Sequence, residues 1–121
     1  MIDIINYDES NIFSKILRKE VPSEIVYEDK NVLAFKDINP QAPIHILVIP
    51  KSKYCSFSDF SLKASSEEIA AFFRAINDIT EKLKISDGYR LISNIGAFGG
   101  QEVPHFHIHL LSGKTLGNKI T

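Results

Sequence analysis

The chain has 121 residues, 44% hydrophobic and 24% charged, with a formal net charge of −1; that leaves room for one domain and excludes bulk electrostatic attraction to nucleic acid or anionic membrane. A lone cysteine, Cys55, excludes an intramolecular disulfide. The acidic N-terminus lacks the basic start of a secretory signal, and no apolar run nears bilayer-spanning length. A cytoplasmic protein with no membrane or nucleic-acid partner is therefore expected.

Residues 11–19 put Ile12, Phe13 and Ile16 at helical spacing, and Ser10 or Asn11 can cap this short amphipathic helix. Val21, Pro22 and Ser23 break it. Two short β-like segments follow, 24–28 and 31–36, joined as a hairpin at Asp29 and Lys30. Residues 37–43 form a turn into the apolar run 44–49, bounded by Pro43 and Pro50, of the kind found at the centre of a sheet. Residues 51–64 read as loop. Ser65 and Glu68 offer a capping box for a long helix to Leu83, with Ile69, Phe72, Phe73, Ile76, Ile79 and Leu83 as its buried stripe. Asp87 and Gly88 turn the chain into a strand over 89–94, and a glycine-rich loop, Gly96 to Gly100, leads to a last strand over 104–111. The sum is one α+β domain over residues 1–121: an antiparallel sheet of about five strands with one short and one long helix.

The last strand carries three of the four histidines in alternation with apolar residues. Side chains two apart share a face, so His105, His107 and His109 line one side, neighbours roughly 7 Å apart, and Phe106, Ile108 and Leu110 line the other. The apolar face can pack a core, whereas three groups that titrate near neutrality on one rigid face read as a chemical site. A metal centre is one possibility, with His45 or Glu102 completing it. Against it, the row spans about 14 Å, too far for all three to hold one ion. The other is phosphoryl chemistry on histidine, since imidazole is a good nucleophile at neutral pH and its neighbours can donate to phosphate oxygens and move protons. Glycines ahead of the row can turn backbone N–H groups toward an anion. Taken singly, His45 reads as a core histidine, Asp37 and Asn94 as turn residues, and Glu102 as an exposed carboxylate. Phe13, Ile16 and Phe35 read as core, and Cys55 as an inert thiol.

The run from His105 to Leu111 resembles the His-φ-His-φ-His-φ-φ motif (φ apolar) of the histidine-triad superfamily. The likeness extends over Ile12 to Ile16, Glu20 to Pro22, Val26 to Asp29, Leu33 to Phe35, Asp37 to Pro43, His45 to Lys51 and Gly99 to Val103, where it is similar to the HINT branch of small nucleotide-binding hydrolases. That resemblance implies hydrolysis of purine nucleoside phosphoramidates, with the dinucleoside-polyphosphate hydrolases of the same superfamily and a nucleotide-sensing scaffold as alternatives. It implies that His107 is the nucleophile, that His105 and His109 contact phosphate and orient or protonate, and that His45 joins the proton network. It implies that Asn94, Gly100, Gln101 and Val103 contact phosphate and leaving group, that Asp37 holds the ribose, and that Ile12, Phe13, Ile16, Phe35 and Ile38 form the base pocket. It implies a homodimer whose sheets join, and no metal or cofactor. Glu102 stands where many relatives carry Ser or Thr, and is expected to face solvent or a cationic leaving group. The segment from Ser112 to Thr121 also departs from the pattern, which leaves the leaving group open.

Overall fold

A computed structural model describes residues 1–118. Its elements are α1 (Ile12–Leu17), β1 (Ile25–Glu28), β2 (Val32–Lys36), β3 (Ile44–Pro50), α2 (Phe57–Lys63), α3 (Ser66–Lys82), β4 (Arg90–Ile92) and β5 (Ile108–Ser112). The strands form one antiparallel sheet in the order β1-β2-β3-β5-β4. The expected α+β architecture is present. Among the described residues no helix is long and apolar enough to cross a membrane.

The central strands are buried on both faces because each face has its own cover. Val32, Ala34, Ile46, Val48, Ile108 and Leu110 pack with Phe72, Ala75, Ile76 and Ile79 of α3 into the larger core. The alternate residues Leu33, Phe35, Leu47 and Ile49 pack with Phe13 of α1 into a smaller one on the opposite side. Register decides which side the histidines take. Leu47 pairs with His109, His45 with Leu111 and Phe35 with Leu47, so His45 and His109 stand on the face of the small core. Phe106 goes the other way, stacked on Phe60 with ring centroids 4.8 Å apart and tilted against Phe72 at 5.1 Å.

Four details differ from the sequence reading. Residues 57–63, read as loop, form α2, whose cap Ser56 accepts from the Asp59 N–H. Phe73 is exposed, not part of the buried stripe; Ala75 and Thr80 are buried instead. The strand expected over 89–94 is ordered as β only from Arg90 to Ile92. Most consequentially, the last strand begins at Ile108 rather than at residue 104. Val48 pairs with Ile108, so a continued ladder would reach Pro50, which has no N–H to give. Other bonds take over there: the Phe106 N–H donates to the Tyr54 carbonyl at 2.7 Å, and the Pro50 carbonyl accepts from the His105 ring at 2.8 Å.

Candidate active site

A cleft of about 490 Å³ opens on the small-core face. Of the residues singled out from sequence, Ile12, Phe13, Ile16, Phe35, Asp37, Ile38, Asn94, Gly100, Val103, His107 and His109 all line it. Asn11 caps α1 by accepting from the Ser14 N–H, which fixes the helix so that Phe13 packs edge-on against Phe35 at 5.5 Å and against His107 at 5.0 Å. Asp37 directly follows β2, and its N–H still donates to the His45 carbonyl at 3.0 Å, which carries the backbone into the site. Gly100 reaches the cleft with φ +75°, a conformation that side chains resist.

Three named residues lie behind the lining. His105 is fully buried, His45 is 6% exposed and Gln101 is 6% exposed. The Gln101 side chain accepts from the Gly96 N–H at 3.0 Å and donates to the carbonyls of Cys55 at 2.7 Å and Val103 at 3.0 Å. It therefore ties the glycine loop to the start of α2 and supports the cleft from beneath. Glu102 is exposed and lines the cleft beside His107.

The hydrogen bonds assign each ring proton, because a carbonyl oxygen can only accept and a backbone N–H can only donate. His107 Nδ1 lies 2.7 Å from the His105 carbonyl, so Nδ1 holds the proton and Nε2 keeps a free lone pair. His45 Nδ1 accepts from the Gln41 N–H at 3.0 Å, so its proton is on Nε2, which donates to His109 Nδ1 at 2.9 Å and lies 3.4 Å from the Asp37 carboxylate. The His109 proton is then on Nε2. The ring centroids of His107 and His109 are 5.1 Å apart, so the cleft receives one lone pair and one N–H donor side by side.

Burial keeps these rings neutral. It pushes His105 and His109 down to about 4, with the neighbouring histidines adding to the effect at each. It also lowers His107, against the opposing pull of its bond to His105 and the carboxylates of Asp37 and Glu102. His45 is lowered by burial and partly restored by Asp37. A neutral imidazole is the nucleophilic form of histidine. Asp37, His45 and His109 each bring a donor atom within 4.8 Å of the others, a set that could share a cation; here the three satisfy one another.

Sequence reasoning passed over several contributors. Leu47 lines the cleft and was findable, since it stands two residues from His45 on the same strand face. Lys36, at the end of β2, also lines it, as do Val21, Pro22, Ser23 and Asn39; these last four lie outside helix and strand, where no periodicity reveals the course of the chain. Tyr7, whose hydroxyl lies 2.5 Å from His105 Nδ1, is 98 positions away in sequence and carries no local signal.

Comparison with known proteins agrees with this geometry. A HIT domain model matches residues 18–116. An uncharacterized 13.2 kDa HIT-like protein of Azospirillum brasilense is 50% identical over 116 residues, 95% of each chain. The purine nucleoside phosphoramidase of Escherichia coli K12 is 48% identical over 110 residues, 90% of this chain and 92% of that one. Among solved structures, a HIT family hydrolase from Clostridium thermocellum superposes with a TM-score of 0.85 at 43% identity, covering 94% of this chain and 99% of its own.

Proposed function

The chain belongs to the HIT family, and from that premise we propose that it hydrolyses purine nucleoside 5′-phosphoramidates through a covalent nucleotidyl intermediate on His107. The observation that carries this reading is the bond from His107 Nδ1 to the His105 carbonyl, which leaves Nε2 as a lone pair facing the cleft. Nε2 attacks the α-phosphorus, a P–N bond forms, and the P–N bond to the amine breaks. An anionic phosphoryl group favours uptake of a proton by the His45–His109 pair beside Asp37, and His109 passes that proton to the departing nitrogen. Because Nδ1 stays protonated, the phosphorylated His107 is a cationic and good leaving group. Water then attacks phosphorus, frees the nucleoside monophosphate, and returns a proton to the pair.

The apolar walls from Phe13, Ile16, Phe35 and Val103 suit a purine face, and Asp37 suits a ribose diol. The relative in E. coli named for this activity supports the choice of reaction. We also propose a homodimer joined at β4, which stands at one edge of the sheet and exposes Leu91. Incubation with an AMP-amine phosphoramidate and with a diadenosine polyphosphate tests the reaction: turnover of the first alone supports it. Preference for the second places the chain with the dinucleoside-polyphosphate hydrolases, and AMP binding without turnover makes it a sensor.

A further inference from the structure

We propose that Tyr7 is a positioning residue for His107: its hydroxyl clamps the His105 imidazole, and through the His105 carbonyl it sets the direction in which His107 presents Nε2. The inference rests on the nucleophilic role given to His107 above. Because regular pairing begins only at Ile108, His105 and His107 stand outside the ladder that would otherwise hold their backbone. Phe106 is tied to Tyr54, but the residue whose carbonyl holds the nucleophile needs an anchor of its own.

The His105 ring supplies it at both nitrogens. Nε2 donates to the Pro50 carbonyl at 2.8 Å, which leaves Nδ1 as a bare lone pair requiring a donor. The Tyr7 hydroxyl provides that donor at 2.5 Å. The ring is further wedged edge-on between Tyr7, at 5.5 Å, and Phe13, at 6.4 Å. Tyr7 is itself held in place by the turn into α1. The Asp8 carbonyl accepts from the Asn11 N–H at 3.2 Å and from the Asn11 side chain at 2.7 Å. Arg18 donates to the Glu9 carbonyl at 2.9 Å. The chain thus runs from a surface-anchored segment, through Tyr7 and His105, to His107. Tyr7 precedes residues 18–116, the stretch that the HIT domain model matches, so its link to the site comes from the geometry of this chain.

Tyr7→Phe keeps the ring and deletes the donor, leaving a buried acceptor unpaired beneath the nucleophile. A misdirected nucleophile slows the chemical step more than it weakens substrate binding. With an AMP-amine phosphoramidate, kcat is expected to fall about five- to fifty-fold while KM stays within about two-fold. The 15N resonances of the His105 and His107 rings should move. Glu9→Gln breaks an exposed ion pair with Lys53 but spares the backbone carbonyls that anchor the segment and does not touch His105, so it should leave kcat and both rings unchanged. A folded Tyr7→Phe protein with wild-type kcat overturns the proposal, as does an equal loss in Glu9→Gln. Should the wild-type protein turn over no phosphoramidate, the nucleophilic role fails separately. The His107 resonances then decide the positioning: a shift in Tyr7→Phe supports it and no shift overturns it.

Discussion

His107 carries its proton on the nitrogen that faces a carbonyl, and burial lowers its affinity for a second one. Protonation removes the lone pair, so the acid limb of kcat/KM should lie below the ordinary histidine value of about 6.5. Glu102 lies on the cleft wall and favours the charged ring. Glu102→Gln should therefore move the acid limb of the pH–rate profile to still lower pH; a limb moved upward would show that Glu102 does not act on His107 by its charge. Gln101 does a different task. Its side chain satisfies one N–H and one carbonyl of its own loop and the carbonyl of Cys55, so Gln101→Ala should destabilise by about 1–3 kcal/mol, read as a lower urea midpoint. The resemblance named Gln101 for phosphate and leaving group, and its hold on the backbone is visible only in three dimensions, whereas Asp37 and Asn94 line the cleft.

At the scale of elements, what was legible followed periodicity and capping. Ser65 accepts from the Glu68 N–H as a capping box requires, although the Glu68 carboxylate accepts from Tyr54 rather than from the cap. The β2 and β3 runs were plain because both faces are covered. α2 carries little sequence signal because seven residues around Phe57 and Phe60 show no extended stripe; the Ser56 and Asp59 pair is its one clue. The early end of β5 was illegible because it depends on Pro50 of another strand. Two helices end on a lysine in the left-handed region, Lys19 at φ 63° and Lys84 at φ 59°. After α3 the Ile85 N–H returns to the Thr80 carbonyl at 3.0 Å, a terminator that favours glycine. Lys84→Gly should then raise stability by about 0.5–1 kcal/mol; a loss would show that the lysine side chain contributes more than its backbone strain removes.

For the whole molecule, one sheet serves two purposes: α3 covers one face as core and the other face holds the cleft. The buried histidines couple the two through pH. His105 and His109 fall to about 4 in the folded chain but titrate near 6.5 when unfolded. The unfolded state then binds more protons between those values, so their contribution is fully present above pH 6.5 and is lost as pH falls toward 4. The urea midpoint should drop across that window, and a flat profile would contradict neutral burial of these rings. If the two sheets join at β4, Leu91→Lys should convert a dimer to a monomer in light scattering. Activity abolished by a chelator would instead assign a cation to Asp37, His45 and His109. The most direct test is intact-protein mass spectrometry on samples quenched during turnover of an AMP-amine phosphoramidate. The account predicts a nucleotidyl adduct that maps to His107 and disappears in His107→Ala together with turnover. Full turnover in His107→Ala, or an adduct on any other residue, would contradict it.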